Sequence, residues 1–163
     1  MKMETLRDLL IEELQDAYDA EHQILDALPK MKQAAKSSQL QQAFDQHLAQ
    51  TREHVSRLEE VFQMIDTPAK RKPCKAMQGI IKEGEEMMKE NADPDVRDAG
   101  LIASAQRVEH YEIAVYGTAM AYARQLGLDQ VIPILSQTLN EEKQTDEMLS
   151  QLAESTINVR ASQ

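Results

Sequence analysis

The chain has no tryptophan, two phenylalanines, one cysteine, and only five glycines and five prolines in 163 residues. Few aromatics, glycines and prolines, with an apolar set of Leu, Ile, Met and Ala, favour helices over sheets. A single thiol, Cys74, excludes an internal disulfide and fits a reducing compartment. Positive charge is also short. The formal net charge of -10 disfavours nucleic acid and anionic membranes as partners. No apolar run is long enough to span a bilayer. The N-terminal M-K-M-E-T-L-R-D is not a signal peptide, so a cytoplasmic location is expected. With 42% apolar residues, the chain is expected to form one globular domain over residues 1–163.

What is present is helical periodicity with acidic interruptions. Around residues 101–118 one stripe reads Ala99, Ile102, Gln106, Glu109, Ile113, Tyr116, Met120. It is apolar above and below Glu109, and Glu112 lies beside it at i+3. A carboxylate inside a buried stripe must be protonated, paired or metal-bound. The rest of the chain repeats the pattern. A first helix, capped by Thr5 with Asp8 completing a capping box, carries Leu6, Leu10, Leu14, Ala17, Glu21, Ile24, Leu28 and Met31. Pro29 is expected to kink its end. After a turn at Lys36-Ser37-Ser38, a second helix carries Leu40, Phe44, His47, Thr51, His54 (or Val55), Leu58, Val61 (or Phe62) and Ile65, with Gln50 and Glu53 flanking. A fourth helix opening at Asp129 carries Val131, Leu135, Thr138, Glu142, Thr145, Leu149 and Leu152, with Asp146 at i+4 from Glu142. The tail I-N-V-R-A-S-Q is expected to fray.

Residues 66–94 are too long for a hairpin. They read as a crossover with a short amphipathic helix through Met77, Ile80, Ile81, Met87 and Met88, which returns the chain so that the second and third helices run parallel. Asp93 and Pro94 start the third helix, and Gly127 ends it. The fold class is therefore all-α, a four-helix bundle with a long crossover.

A helix rises about 1.5 Å per residue, so equal distances from a hairpin turn mean equal heights. Glu21 precedes Ser37 by as many residues as His54 follows Ser38. Glu112 precedes Gly127 by nearly as many as Glu142 follows Leu128. One central polar layer is the economical arrangement. Its oxygen and nitrogen donors suit Fe or Mn, and after them Zn. Di-metal carboxylate bundles use Glu from two helices and Glu-x-x-His from the other two. Here the second helix offers His47-x-x-Gln50 and Glu53-His54, and the fourth offers Glu142-x-x-Thr145 without histidine. The candidate ligands are Glu21, His47, Gln50, Glu53, His54, Glu109, Glu112, Glu142 and Asp146, with Glu109 and Glu142 as bridges. Against this stand plainer readings. Arg52, Arg57 or Arg107 could neutralise a metal-free layer that fixes helix register. Tyr18 and Tyr116 fit as packed, hydrogen-bonded side chains, His22 and His110 as boundary residues, and Cys74 as an incidental thiol in a mobile crossover.

The runs A-Y-D-A-E-H-Q-I-L-D-A-L-P-K-M, H-L-A-Q-T-R-E-H-V, A-M-Q-G-I-I-K-E-G-E-E, V-E-H-Y-E-I-A-V-Y-G and L-N-E-E-K-Q-T-D-E-M-L resemble the YciF family over nearly the whole chain. That resemblance implies a ferritin-like, rubrerythrin-related bundle, a dimer, a link to bacterial stress responses, and no established biochemical activity. It places ligands at Glu21, His47, position 50, Glu109, Glu112 and Glu142. The family commonly reads H-L-E-E-T where this chain reads H-L-A-Q-T, so Gln50 is neutral where a carboxylate is usual, with Glu53 about one turn away. The functional expectation is a di-iron or di-manganese site acting on oxygen or peroxide, or alternatively a metal-free dimeric interaction bundle.

Overall fold

A computed structural model describes residues 3–163. The elements run α1 (Leu6–Ala34), α2 (Ser38–Met64), α3 (Lys75–Lys89), α4 (Pro94–Gln125), a 3-10 turn (Asp129–Val131), α5 (Ile132–Leu152), a π-helical turn (Ala153–Ile157) and α6 (Asn158–Ala161). Each start has a local cause. Thr5 accepts from the Asp8 amide and Asp8 reaches back to the Thr5 amide, closing the capping box. Ser37 caps α2, and Asp93, with Pro94 behind it, caps α4. Gly127, at φ 69°, takes the left-handed conformation that ends the α4 segment. α1 continues past Pro29 to Ala34.

α1 pairs with α2 and α4 with α5, while α1 also packs on α4 and α2 on α5. The end of α1 is tied to the start of α4. The buried Asp98 carboxylate accepts from the Lys36 amide at 2.8 Å and the Ser37 amide at 2.7 Å. α4 thus runs antiparallel to α1 and parallel to α2, the topology expected from the crossover. α3 lies along α1 and α4. Its apolar side, Met77, Ile80, Ile81 and Met88, joins the bundle core rather than an exposed face.

Two expectations do not hold. Cys74 is neither mobile nor incidental: it is fully buried, its Sγ caps α3, and it lies 3.0 Å from the Tyr111 hydroxyl. Burial raises its thiol above the ordinary range. The connection is pinned by Asp19, which accepts from the Cys74 amide, Arg71 Nε and Gln23 Nε2. The tail does not fray either. It continues through the π-turn into α6, with Ile157 buried against the core.

The hydrophobic core is in two parts. One holds Ile24, Leu28, Phe44, Met77, Ile102 and Leu149; the other holds Leu14, Leu58, Phe62, Val115, Ala119 and Leu135. Between them lies a layer of charge. Among the described residues, no helix is long and apolar enough to cross a membrane.

Candidate metal centre

Four helices each send acid or imidazole into that layer. Glu21 comes from α1, His47 and His54 from α2, Glu109 and Glu112 from α4, and Glu142 from α5. All six are at most 3% exposed. On α2, His47 and His54 are seven residues apart, two turns of one face, so they stand at different heights. The stripe on α4 is rotated from the periodic reading: Glu109 and Glu112 are both buried, with Val108, Val115 and Tyr116, and Ile113 is only half-buried. Two buried acids at i, i+3 on one helix are what widens the layer enough for two sets of ligands.

Those sets are Glu21, His54, Glu112 and Glu142, and His47, Glu109, Glu112 and Glu142. Within each, one donor atom per residue lies within 4.8 Å of every other. Glu112 and Glu142 belong to both. Of the two bridges expected, Glu142 is shared by both sets, while Glu109 belongs to one only and Glu112 to both. The layer also has too few internal partners. Glu21 Oε2, His47 Nε2, His54 Nδ1, and both oxygens of Glu109, Glu112 and Glu142 are buried with no hydrogen bond. His54 Nδ1 is 2.8 Å from Glu142 Oε1 and 3.3 Å from Glu21 Oε1, and His47 Nδ1 is 3.1 Å from Glu109 Oε1. These approaches are close contacts, not aligned hydrogen bonds. Nine unpartnered buried atoms in one layer are costly. The same atoms form a set of oxygen and nitrogen donors of the kind that can hold a metal ion.

The electrostatics follow from crowding. Burial, and next the charge of Glu142, raise Glu109 and Glu112 well above the carboxylate range. Burial works against ionising Glu142 too, but contacts from Glu109, Glu112, His47 and His54 outweigh it and hold Glu142 well below that range. For His54, burial opposes charging, yet Glu21 and Glu142 outweigh burial and push it up to about 10. Without metal, these directions favour an ionised Glu142 beside an imidazolium at His54, with Glu109 and Glu112 drawn toward their protonated forms. None of the three arginines considered as neutralisers enters it. Arg52 and Arg107 are exposed, and Arg57 forms a fork with Glu141, at 2.5 and 3.0 Å.

That fork has a purpose the sequence reading missed. Glu141 Oε2 is 2.9 Å from His54 Nε2. A carboxylate behind one ring nitrogen turns the other, Nδ1, toward the layer. Arg57 in turn holds Glu141, whose carboxyl is lowered: burial acts against this, and Arg57 and His54 prevail. The signal was available, since Arg57 follows His54 by one turn and Glu141 adjoins Glu142. Tyr116, fully buried, donates to Glu21 Oε1 at 2.6 Å. Thr51 bonds back to the His47 carbonyl. Three expected ligands lie elsewhere. Glu53 is exposed. Asp146 sits on the α4–α5 seam, bonded to His110 and Gln106. Gln50 is half-buried, and its Oε1 accepts from Thr145 at 3.3 Å. Successive residues of a helix point about 100° apart, so Glu53 cannot share the face of its neighbour His54.

Residues 5–162 match the model of a family described as a domain of unknown function, DUF892. The chain is 43% identical over 162 residues to the protein YciF of Escherichia coli K12, covering 99% of this chain and 98% of that one. Its structure superposes on the crystal structure of the E. coli stress protein YciF with a TM-score of 0.92, covering 96% and 99% of the two chains. YcfI of Rhodopseudomonas palustris, also 43% identical, gives 0.90 over 91% and 95%. A Xanthomonas campestris protein at 19% identity gives 0.76 over 97% of each chain and shares the fold. A full-length family match, close identity and a common bundle together show that this chain belongs to the DUF892 family, alongside YciF.

Proposed function

We propose that this protein is a stress-response bundle whose buried layer holds a dinuclear iron or manganese centre that acts on dioxygen or peroxide. The observation that carries the reading is the set of nine unpartnered donor atoms shared between two four-residue groups. Glu21 and His54 would be terminal ligands of one ion, His47 and Glu109 of the other, with Glu112 and Glu142 common to both. Such a centre would supply electrons to dioxygen or peroxide by passing from the divalent to the trivalent state, with an external electron donor returning it to the divalent state. The chain contributes the dry layer, the Glu141 carboxylate that orients His54, and the Tyr116 hydroxyl that orients Glu21. The stress role is carried over from the description of the E. coli relative.

The test is metal content. Protein loaded anaerobically with Fe(II) or Mn(II) and desalted is expected to hold two ions per chain by elemental analysis. Content well below one ion per chain refutes the centre. The metal-free interaction bundle, with its polar layer fixing helix register, would then be the better reading. A homodimer is proposed on the family resemblance, and sedimentation as a monomer at micromolar concentration would refute it.

A further inference from the structure

A narrow cleft opens between α1, α3 and α4 and leads inward to His47. Its mouth is rimmed by Lys30 and Glu85, paired at 3.3 Å. Its walls are hydrocarbon, from Ile24, Leu28 and Met31 on α1, Ile81 and Met88 on α3, and Ala105 and Val108 on α4; Ser104 adds one hydroxyl. The space open to the centre of a water-sized molecule is ≈ 20 Å³, enough for one small molecule. The residue at its inner end is a candidate ligand, 3% exposed, whose Nε2 has no hydrogen-bond partner.

We propose that this cleft is a binding site and access route for a small, uncharged, apolar molecule of the size of dioxygen, delivered to His47. Three properties select that class. The volume excludes organic substrates larger than a few atoms. The apolar wall gives a polar reactant such as peroxide few of the hydrogen bonds it would surrender on leaving water, whereas dioxygen has none to lose. The inner end meets the layer of donors directly. α3 forms one wall, which gives the crossover helix a role beyond joining α2 to α4. The inference rests on the metal reading for what happens at the inner end, but the cavity can be tested without it.

Two variants narrow the cleft from different walls, Ala105→Phe in the interior and Ile81→Trp on the half-buried side of α3. Circular dichroism and thermal melting establish which of them folds. Xenon, an apolar probe, is applied under pressure to crystals of the metal-free protein. The expected result is a xenon atom in the cleft of the parent protein and none in a folded variant. Absence of xenon from the parent overturns the proposal. The second measurement mixes Fe(II)-loaded protein with dioxygen in a stopped-flow instrument. A blocked variant with unchanged iron content is expected to oxidise at least about tenfold more slowly, while its reaction with hydrogen peroxide changes less. Equal dioxygen rates in the parent and in both folded variants overturn the route. Failure of the parent to take up iron overturns the proposed function and the delivery step together, while xenon in the cleft would still establish the apolar site.

Discussion

Replacing Glu112 with Gln separates the two states of the layer. Glu112 is 2% exposed, both of its oxygens lack partners, and burial with the charge of Glu142 pushes it toward the protonated form. An amide has nearly the shape of a protonated carboxyl and the same charge. In metal-free protein the Glu112→Gln change should therefore be small, within about 1 kcal/mol. Were Glu112 ionised instead, removing an uncompensated buried charge beside Glu21, Glu109 and Glu142 would stabilise the apo form by roughly 1–4 kcal/mol. Metal binding responds in the opposite way. Glu112 belongs to both ligand sets, so its loss removes an anionic oxygen from each ion. Loss of an outer-shell partner alone typically weakens metal binding about 10–100-fold, and a shared direct ligand should cost at least the upper end. The assay is urea unfolding at pH 7 in chelator, paired with Mn(II) titration and elemental analysis. Glu53→Gln, on the exposed side of α2, is the control and should change neither. Two tightly held ions in Glu112→Gln, or an apo stability change above about 2 kcal/mol in either direction, would refute the assignment.

Apo stability should fall as pH rises from about 6.5 to 10. His54 is raised from 6.5 to about 10 in the folded state, so its contribution is complete below 6.5 and lost as pH climbs through 10; the ceiling is ~5 kcal/mol. His54→Gln should flatten this slope in urea titrations, and an unchanged slope would show that another group causes it. Loading the layer with metal displaces protons from Glu109, Glu112 and His54, so Mn(II) affinity should rise with pH between 5 and 7, as read by calorimetry in buffers of different ionisation heat. Gln50→Glu adds a carboxylate at the edge of the layer, next to Thr145. It should raise Mn(II) affinity and lower apo stability by about 1 kcal/mol, and no change in either would place position 50 outside the electrostatic reach of the site. Asp19→Ala should cost about 2–3 kcal/mol in urea unfolding, because it leaves the Cys74 amide buried without an acceptor. A loss under 0.5 kcal/mol would mean that the α3 connection is held by other contacts.

The amino-acid order by itself determined the number and direction of the long helices. Helical period, the Thr5 and Asp93 caps and Gly127 act within a turn or two, and the length of the 66–94 connection requires a crossover. It also placed Glu21, His47, Glu109 and Glu142 in apolar stripes, with His54 or Val55 in the second helix and Glu112 beside Glu109, since a polar residue in an apolar stripe is visible from spacing alone. Rotation of each helix about its axis was not legible. Whether Ile113 or Glu112 faces inward depends on about half a residue of phase, and that phase is set by what α4 packs against. Only the packed bundle made Glu112 common to both sets, put Glu141 behind His54, and turned Gln50 to Thr145. Cys74 and the tail depart from the sequence expectation for the same reason: their local sequence is polar or irregular, and they are ordered by partners distant in the chain, Asp19 and Tyr111 for Cys74 and α4 for the residues around Ile157. Short-range forces act through neighbours in sequence, whereas contacts across the bundle exist only after the helices have docked, so the second kind of information appears only in the tertiary structure.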